Sequence, residues 1–68
     1  MGDRKRVKRY LHIDSQKTEP YYKEGDIREI YLKGGLFARA VVKRITYNEG
    51  LQVWVILYEY THKNIFTK

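Results

Sequence analysis

The chain has 68 residues, with 14 Lys and Arg against 8 Asp and Glu, for a formal net charge of +6. A domain of this length hides only roughly 60% of its unfolded surface, which excludes a large enzyme with a deep cleft. With no cysteine there is no disulfide staple, thiolate metal site or thiol nucleophile.

No apolar run approaches the ~20 residues of a membrane helix, and no apolar signal-peptide segment follows the charged start. A single Pro and five Gly argue against a low-complexity chain. These features predict a small, soluble, intracellular (cytoplasmic) binding domain without membrane contact.

Residues 1–13 carry Arg4, Lys5, Arg6, Lys8 and Arg9 against Asp3 alone, a balance of +4. Residues 14–68 add only +2. A clustered basic arm suits a segment lying along phosphates, with binding that weakens steeply in salt. A solubilising tail is the plainer alternative. Val7, Tyr10, Leu11 and Ile13 follow the charges, so the second half of the arm is expected to dock on the domain. Val7, Leu11 and Ile13 suit a short edge strand, while Val7, Tyr10 and Leu11 also fit one helix turn. Residues 14–19 are polar and read as a linker, and residues 20–68 as the compact domain.

Gly25-Asp26 closes a turn ahead of a strand over Ile27–Leu32. Lys33-Gly34-Gly35 reads as a turn, because glycine takes positive φ freely. A long β-prone run follows over Leu36–Tyr47, with Ala38, Ala40 and Val42 on one face and Phe37, Val41 and Ile45 on the other. Asn48-Glu49-Gly50 suits a three-residue hairpin loop with Gly in the left-handed position. Leu51–Tyr60 is the strongest strand, rich in Val, Ile, Leu, Trp and Tyr. Ile65 and Phe66 suggest a last short strand. No helical pattern separates the strands, so an antiparallel meander of about five strands curling into a small barrel is predicted.

The strand Leu51–Tyr60 is apolar on both faces. Leu51, Val53, Val55 and Leu57 read as the core row. Trp54, Ile56, Tyr58 and Tyr60 then need a cover: most simply the barrel itself, whose bent central strand packs on both sides, or else residues 7–13, a second copy or a ligand stacked on the aromatics.

The stretch 21–64 resembles the SH3-like small barrels, and among them the Tudor domains. The likeness lies in Tyr22-Lys23-Glu24-Gly25-Asp26, in Lys33-Gly34-Gly35 leading to Ala40-Val41-Val42-Lys43-Arg44-Ile45, and in Val53 to Tyr60. It implies an all-β fold, a small antiparallel SH3-like (Tudor-like) barrel behind a basic arm. It also implies an aromatic cage for a methylated cation, incomplete in this chain, with Tyr31 as one wall, Tyr58 and Tyr60 as others and Asn64 as a polar neighbour. The family's aromatic at the start of the second strand falls on Phe37, one residue out of register, or on Ala38.

Catalysis is not expected. His12 and His62 lie in different segments, Ser15 has no nucleophile-elbow context, and Asp26 suits a turn better than acid–base work. No cofactor or metal is called for. The predicted function is a non-catalytic nucleic-acid-binding module for DNA or RNA. Its phosphate contacts are Arg4, Lys5, Arg6, Lys8, Arg9, Lys33, Arg39, Lys43 and Arg44. Its stacking or cage surface is Tyr31, Trp54, Tyr58 and Tyr60. The alternative is a protein-interaction adaptor that docks by its aromatic face or an edge strand. A monomer or weak homodimer is expected.

Overall fold

In the computed structural model, residues 7–68 are described. The polypeptide forms five antiparallel strands: β1 Arg9–Gln16, β2 Ile27–Lys33, β3 Leu36–Asn48, β4 Val53–Thr61 and β5 Ile65–Thr67. A single 3-10 turn, His62–Asn64, links β4 to β5. The sheet order is β1-β4-β3-β2, and β5 pairs with the start of β3. β1 and β2 are its edges, and no ladder joins them, so the sheet stays open.

Turn chemistry fixes the meander. Gly34 and Gly35 both have positive φ (62° and 83°), which makes a two-residue connection between β2 and β3 that β-branched residues resist. The β3–β4 loop is longer than its sequence suggests. It runs over residues 49–52, and the left-handed residue is Gln52 (φ 58°), not Gly50. Asn48 holds it by accepting the Leu51 N–H on Oδ1 (2.9 Å) and the Gln52 N–H on its carbonyl (2.7 Å). Leu51 therefore sits exposed in the loop and does not begin the strand.

The core lies on the face opposite to the one expected. Ile30, Ala38, Ala40, Val42, Ile56 and Tyr58 are buried, and Tyr22, Leu32, Ile45, Tyr60 and Ile65 pack around them. Ile56 is 0% exposed and Tyr58 3%. Val53, Val55 and Leu57, expected as the core row, are half-buried on the far side of the sheet. Register decides this. Tyr58 pairs with Val42 and Ile56 with Ile45, while Leu57 faces Arg44 and Val55 faces Thr46. The Ala38–Ala40–Val42 row leaves room for large side chains from β4, and the segment between β1 and β2 covers them through Tyr22.

Ile45 belongs to this core because β3 carries a bulge. The register shifts between Val42 and Arg44, so Lys43 is an extra residue and every later side chain changes face. A second shift between Tyr31 and Lys33 makes Leu32 the extra residue of β2.

β1 also departs from its expected length. It pairs with β4 without a shift from Arg9 opposite Thr61 to Gln16 opposite Trp54. Asp14, Ser15 and Gln16, read as linker, are the last three residues of this strand. An edge strand meets water along one side, so polar side chains at its end carry little cost.

The inverted core is open to a direct test. Ile56→Ala is expected to cost about 2–5 kcal/mol and Val55→Ala about 1 kcal/mol or less, read from urea melts. Equal losses would sink the assignment of the two faces.

Candidate functional site

Cross-strand partners share a face, so the ladders sort every candidate residue onto one side of the sheet or the other. Arg9 of β1 lies opposite Thr61, with Glu59 next along that row. Arg39, Val41 and Lys43 follow by period two along β3, and the bulge adds Arg44 to the same side, opposite Leu57. The outer face therefore gathers Arg9, Arg39, Lys43 and Arg44. Glu59 sits among them, 3.2 Å from Lys43 Nζ and 4.0 Å from Arg9. These partly exposed pairs are worth little energetically and leave the face basic.

Lys33 falls elsewhere. It pairs with Leu36 at the hairpin tip, past the Leu32 bulge, on the side of the sheet that holds the core. Lys8 is exposed just ahead of β1. Arg4, Lys5 and Arg6 lie outside the described residues.

The aromatics divide between the two faces. Tyr31 is 56% exposed on the outer face, while Tyr58 and Tyr60 lie on the inner one. These three cannot line one cage, because a sheet separates them. Asn64 is also committed: its Oδ1 accepts the Thr61 N–H (2.8 Å) and the Thr61 hydroxyl (3.0 Å), capping the 3-10 turn. Trp54 is half-buried, with its ring 5.1 Å from that of its cross-strand partner Tyr47. Tyr60 stacks on Tyr10 of β1 at 5.4 Å. Tyr58 is core, and no base can reach its ring.

The outer face has its own aromatic strip, in which Tyr31 was an expected wall, Phe37 was expected only out of register and Phe66 was not singled out as a site residue. The Tyr31 ring stands 5.3 Å from Phe37, and Phe37 stands 6.0 Å from Phe66. Cations lie over it: Arg39 at 5.1 Å from the Phe66 ring and Lys68 at 5.2 Å from the Phe37 ring. Lys68 also reaches Glu29 at 3.1 Å. Beyond the strip, the outer face turns aliphatic with Ile27, Val41, Leu57, Leu11 and Ile13.

The inner face closes around a tyrosine cluster. Tyr22 and Tyr58 share a hydroxyl–hydroxyl hydrogen bond of 3.1 Å. Arg28 lies 3.9 Å from the centre of the Tyr22 ring and donates to the Tyr21 hydroxyl at 2.9 Å. That hydrogen bond, with the surrounding hydroxyls, holds the guanidinium more firmly protonated than usual. Burial, with the Tyr22 hydrogen bond second, pushes the Tyr58 phenol up to about 12.

Beside the cluster, a groove of about 330 Å³ opens between the β1–β2 segment and β4. Trp54, Tyr22, Ile45 and Pro20 form its apolar walls, and Glu19 and Glu24 make its rim acidic despite Lys23. Carboxylates there disfavour phosphate. Asp26 acts in its turn, accepting the Lys23 N–H at 3.1 Å. Among the described residues no three His, Asp or Glu side chains stand together to hold a metal, and no helix is long and apolar enough to cross a membrane. No family model, curated protein or solved structure matches the chain.

The Tyr58 phenol gives a pH signature. A group kept neutral by folding stabilises the fold fully below its ordinary value near 10 and loses that contribution as pH rises towards about 12. Stability is therefore expected to fall between those limits. Tyr58→Phe should flatten this alkaline limb while costing about 0.5–1.5 kcal/mol near neutrality through the lost hydrogen bond. Melts across alkaline pH check both effects.

Proposed function

We propose that the protein is a non-catalytic nucleic-acid-binding module that works through the outer face of its sheet. The observation that carries this reading is the joint placement of Arg9, Arg39, Lys43 and Arg44 on the face that also bears Tyr31, Phe37 and Phe66. Aromatic rings interleaved with cations on an open sheet suit single strands: bases stack on the rings while the cations follow the phosphates. The surface differs from the one expected in sequence. Trp54, Tyr58 and Tyr60 serve the inner face, and Phe37 and Phe66 take over the role of stacking rings.

The β2–β3–β4 meander with its Gly-Gly turn is read as an SH3-like, Tudor-like sheet that stops short of a closed barrel. Arg4, Lys5 and Arg6 are kept in this reading as phosphate contacts of the arm. A second reading, docking of a protein partner, draws on the aliphatic half of the same face, where Leu11 is 65% and Ile13 68% exposed.

Fluorescence anisotropy with single-stranded and duplex oligonucleotides at two salt concentrations tests the proposal. Single strands are expected to bind better than duplex. Tyr31→Ala should lose about 1–3 kcal/mol of single-strand affinity. Replacing Arg39, Lys43 and Arg44 together by Ala should lower the salt slope by roughly 2, at about 0.7 per phosphate contact. Absence of binding at low salt, or equal affinity in the variants, would overturn the reading and favour the protein partner.

A further inference from the structure

The two sheet edges are built differently. β2 is interrupted by its Leu32 bulge and carries Arg28, Glu29 and Lys33. β1 has eight residues, no proline, no lysine and no register shift along its length. Bulges, prolines and lysines are the usual means of keeping an edge from pairing, and β1 lacks all three. Among the described residues, no backbone hydrogen bond reaches its outer edge.

The main-chain groups on that edge can be identified. The Ser15 N–H is taken by Asp14 Oδ1 at 2.9 Å and so is not spent on the β4 ladder. In an antiparallel strand, inward and outward pairs alternate. The amides and carbonyls of Arg9, Leu11 and Ile13 therefore point outward with Ser15, while Tyr10, His12 and Asp14 bond to β4.

We propose that β1 pairs with β1 of a second copy, antiparallel about a two-fold axis at His12. Three two-fold registers centred near the middle of the strand join outward-pointing residues, and their side chains separate them. Centring on Leu11 sets Ile13 against Arg9, and centring on Ile13 sets Leu11 against Ser15. Centring on His12 sets Leu11 against Ile13 of the second copy twice over, which pairs the two most exposed aliphatics of the strand with each other. It also sets Arg9 against Ser15, so no formal charge faces a like one. The strand carries Arg9 and Asp14 and is formally neutral, so it adds no repulsion of its own to self-association.

Pairing of this kind is isologous, with the same patch on both copies. It joins the Leu57–Ile13 row of one copy to the Leu11 side of the next and makes one continuous sheet. The outer faces of the two copies become a single surface with two sets of Arg9, Arg39, Lys43 and Arg44. The pairing does not depend on nucleic acid, and its test uses the protein alone.

Sedimentation velocity and light scattering from micromolar to millimolar concentration are expected to show a monomer–dimer equilibrium. The amides of Leu11 and Ile13 should gain hydrogen-exchange protection as concentration rises, and those of β2 should not. The double variant Leu11→Lys, Ile13→Lys places like charges opposite each other and should be monomeric. Leu11→Lys combined with Ile13→Glu sets opposite charges against each other twice in this register, whereas centring on Leu11 or on Ile13 sets two like charges face to face at the axis, so this variant should still dimerise. Both positions are exposed, and circular dichroism checks that each variant remains folded. A wild-type monomer at millimolar concentration, a dimer that survives the two lysines, or protection confined to β2 or the outer aliphatic row would each overturn the proposal. Loss of the dimer in the Lys–Glu variant would overturn the register.

Discussion

One extra residue in β3 holds the molecule together. The bulge at Lys43 lets a thirteen-residue strand serve three neighbours: β2 and β5 along its first half and β4 along its second. It also changes the phase of the strand, so that Ile45 joins Val42 in a core with few buried members. Backbone groups around a bulge lose their ladder partners, and here the Lys23–Asp26 turn replaces them. The Gly25 N–H donates to the Val42 carbonyl and the Val42 N–H donates to the Asp26 carbonyl, both at 2.8 Å. Glu24 Oε2 accepts the Ile45 N–H at 3.0 Å. Turn and bulge are thus one unit, and it anchors the segment that carries Tyr22 over the core.

The same unit explains why cations and aromatic rings sort by face. By leaving Lys43 and Arg44 together on the outside, the bulge adds a cation to a strand that alternation alone would have sent inward. The aromatic residues answer to different demands on each side. Inside, Tyr58 and Tyr60 fill space above alanines. Outside, Tyr31, Phe37 and Phe66 lie in a row along neighbouring strands with cations over them. Basic and aromatic groups that appear interleaved in sequence are therefore regrouped, and a different set of rings ends up beside the charges.

Much of the strand order was legible. β-branched and aromatic runs broken by Gly25, by Gly34-Gly35 and near Asn48 mark β2, β3 and β4 to within a few residues. Alternation at Leu11 and Ile13 already hinted at an edge strand. What sequence concealed was phase. With a simple Gly34-Gly35 turn, Tyr31 would pair with Ala38 and point inward; the Leu32 bulge pairs it with Phe37 and turns it out. Without Lys43 as an extra residue, Ile45 would stay with Phe37 and Val41. A bulge has no reliable residue signature, and in a strand apolar on both sides hydrophobicity cannot reveal which face is buried. The outward placement of Phe37 and Phe66 was hidden for the same reason.

The pairing of β1 with β4 has a kinetic side. Arg9 meets Thr61 and Gln16 meets Trp54, so this ladder closes almost the whole chain, whereas β2, β3 and β4 meet through short turns. Closing a long loop slows the search for contact. During synthesis β1 emerges first and pairs late, after the strand it needs has been made. Until then its apolar side chains are in water. The arm's like charges, a few residues upstream, oppose contact between two such unfinished chains.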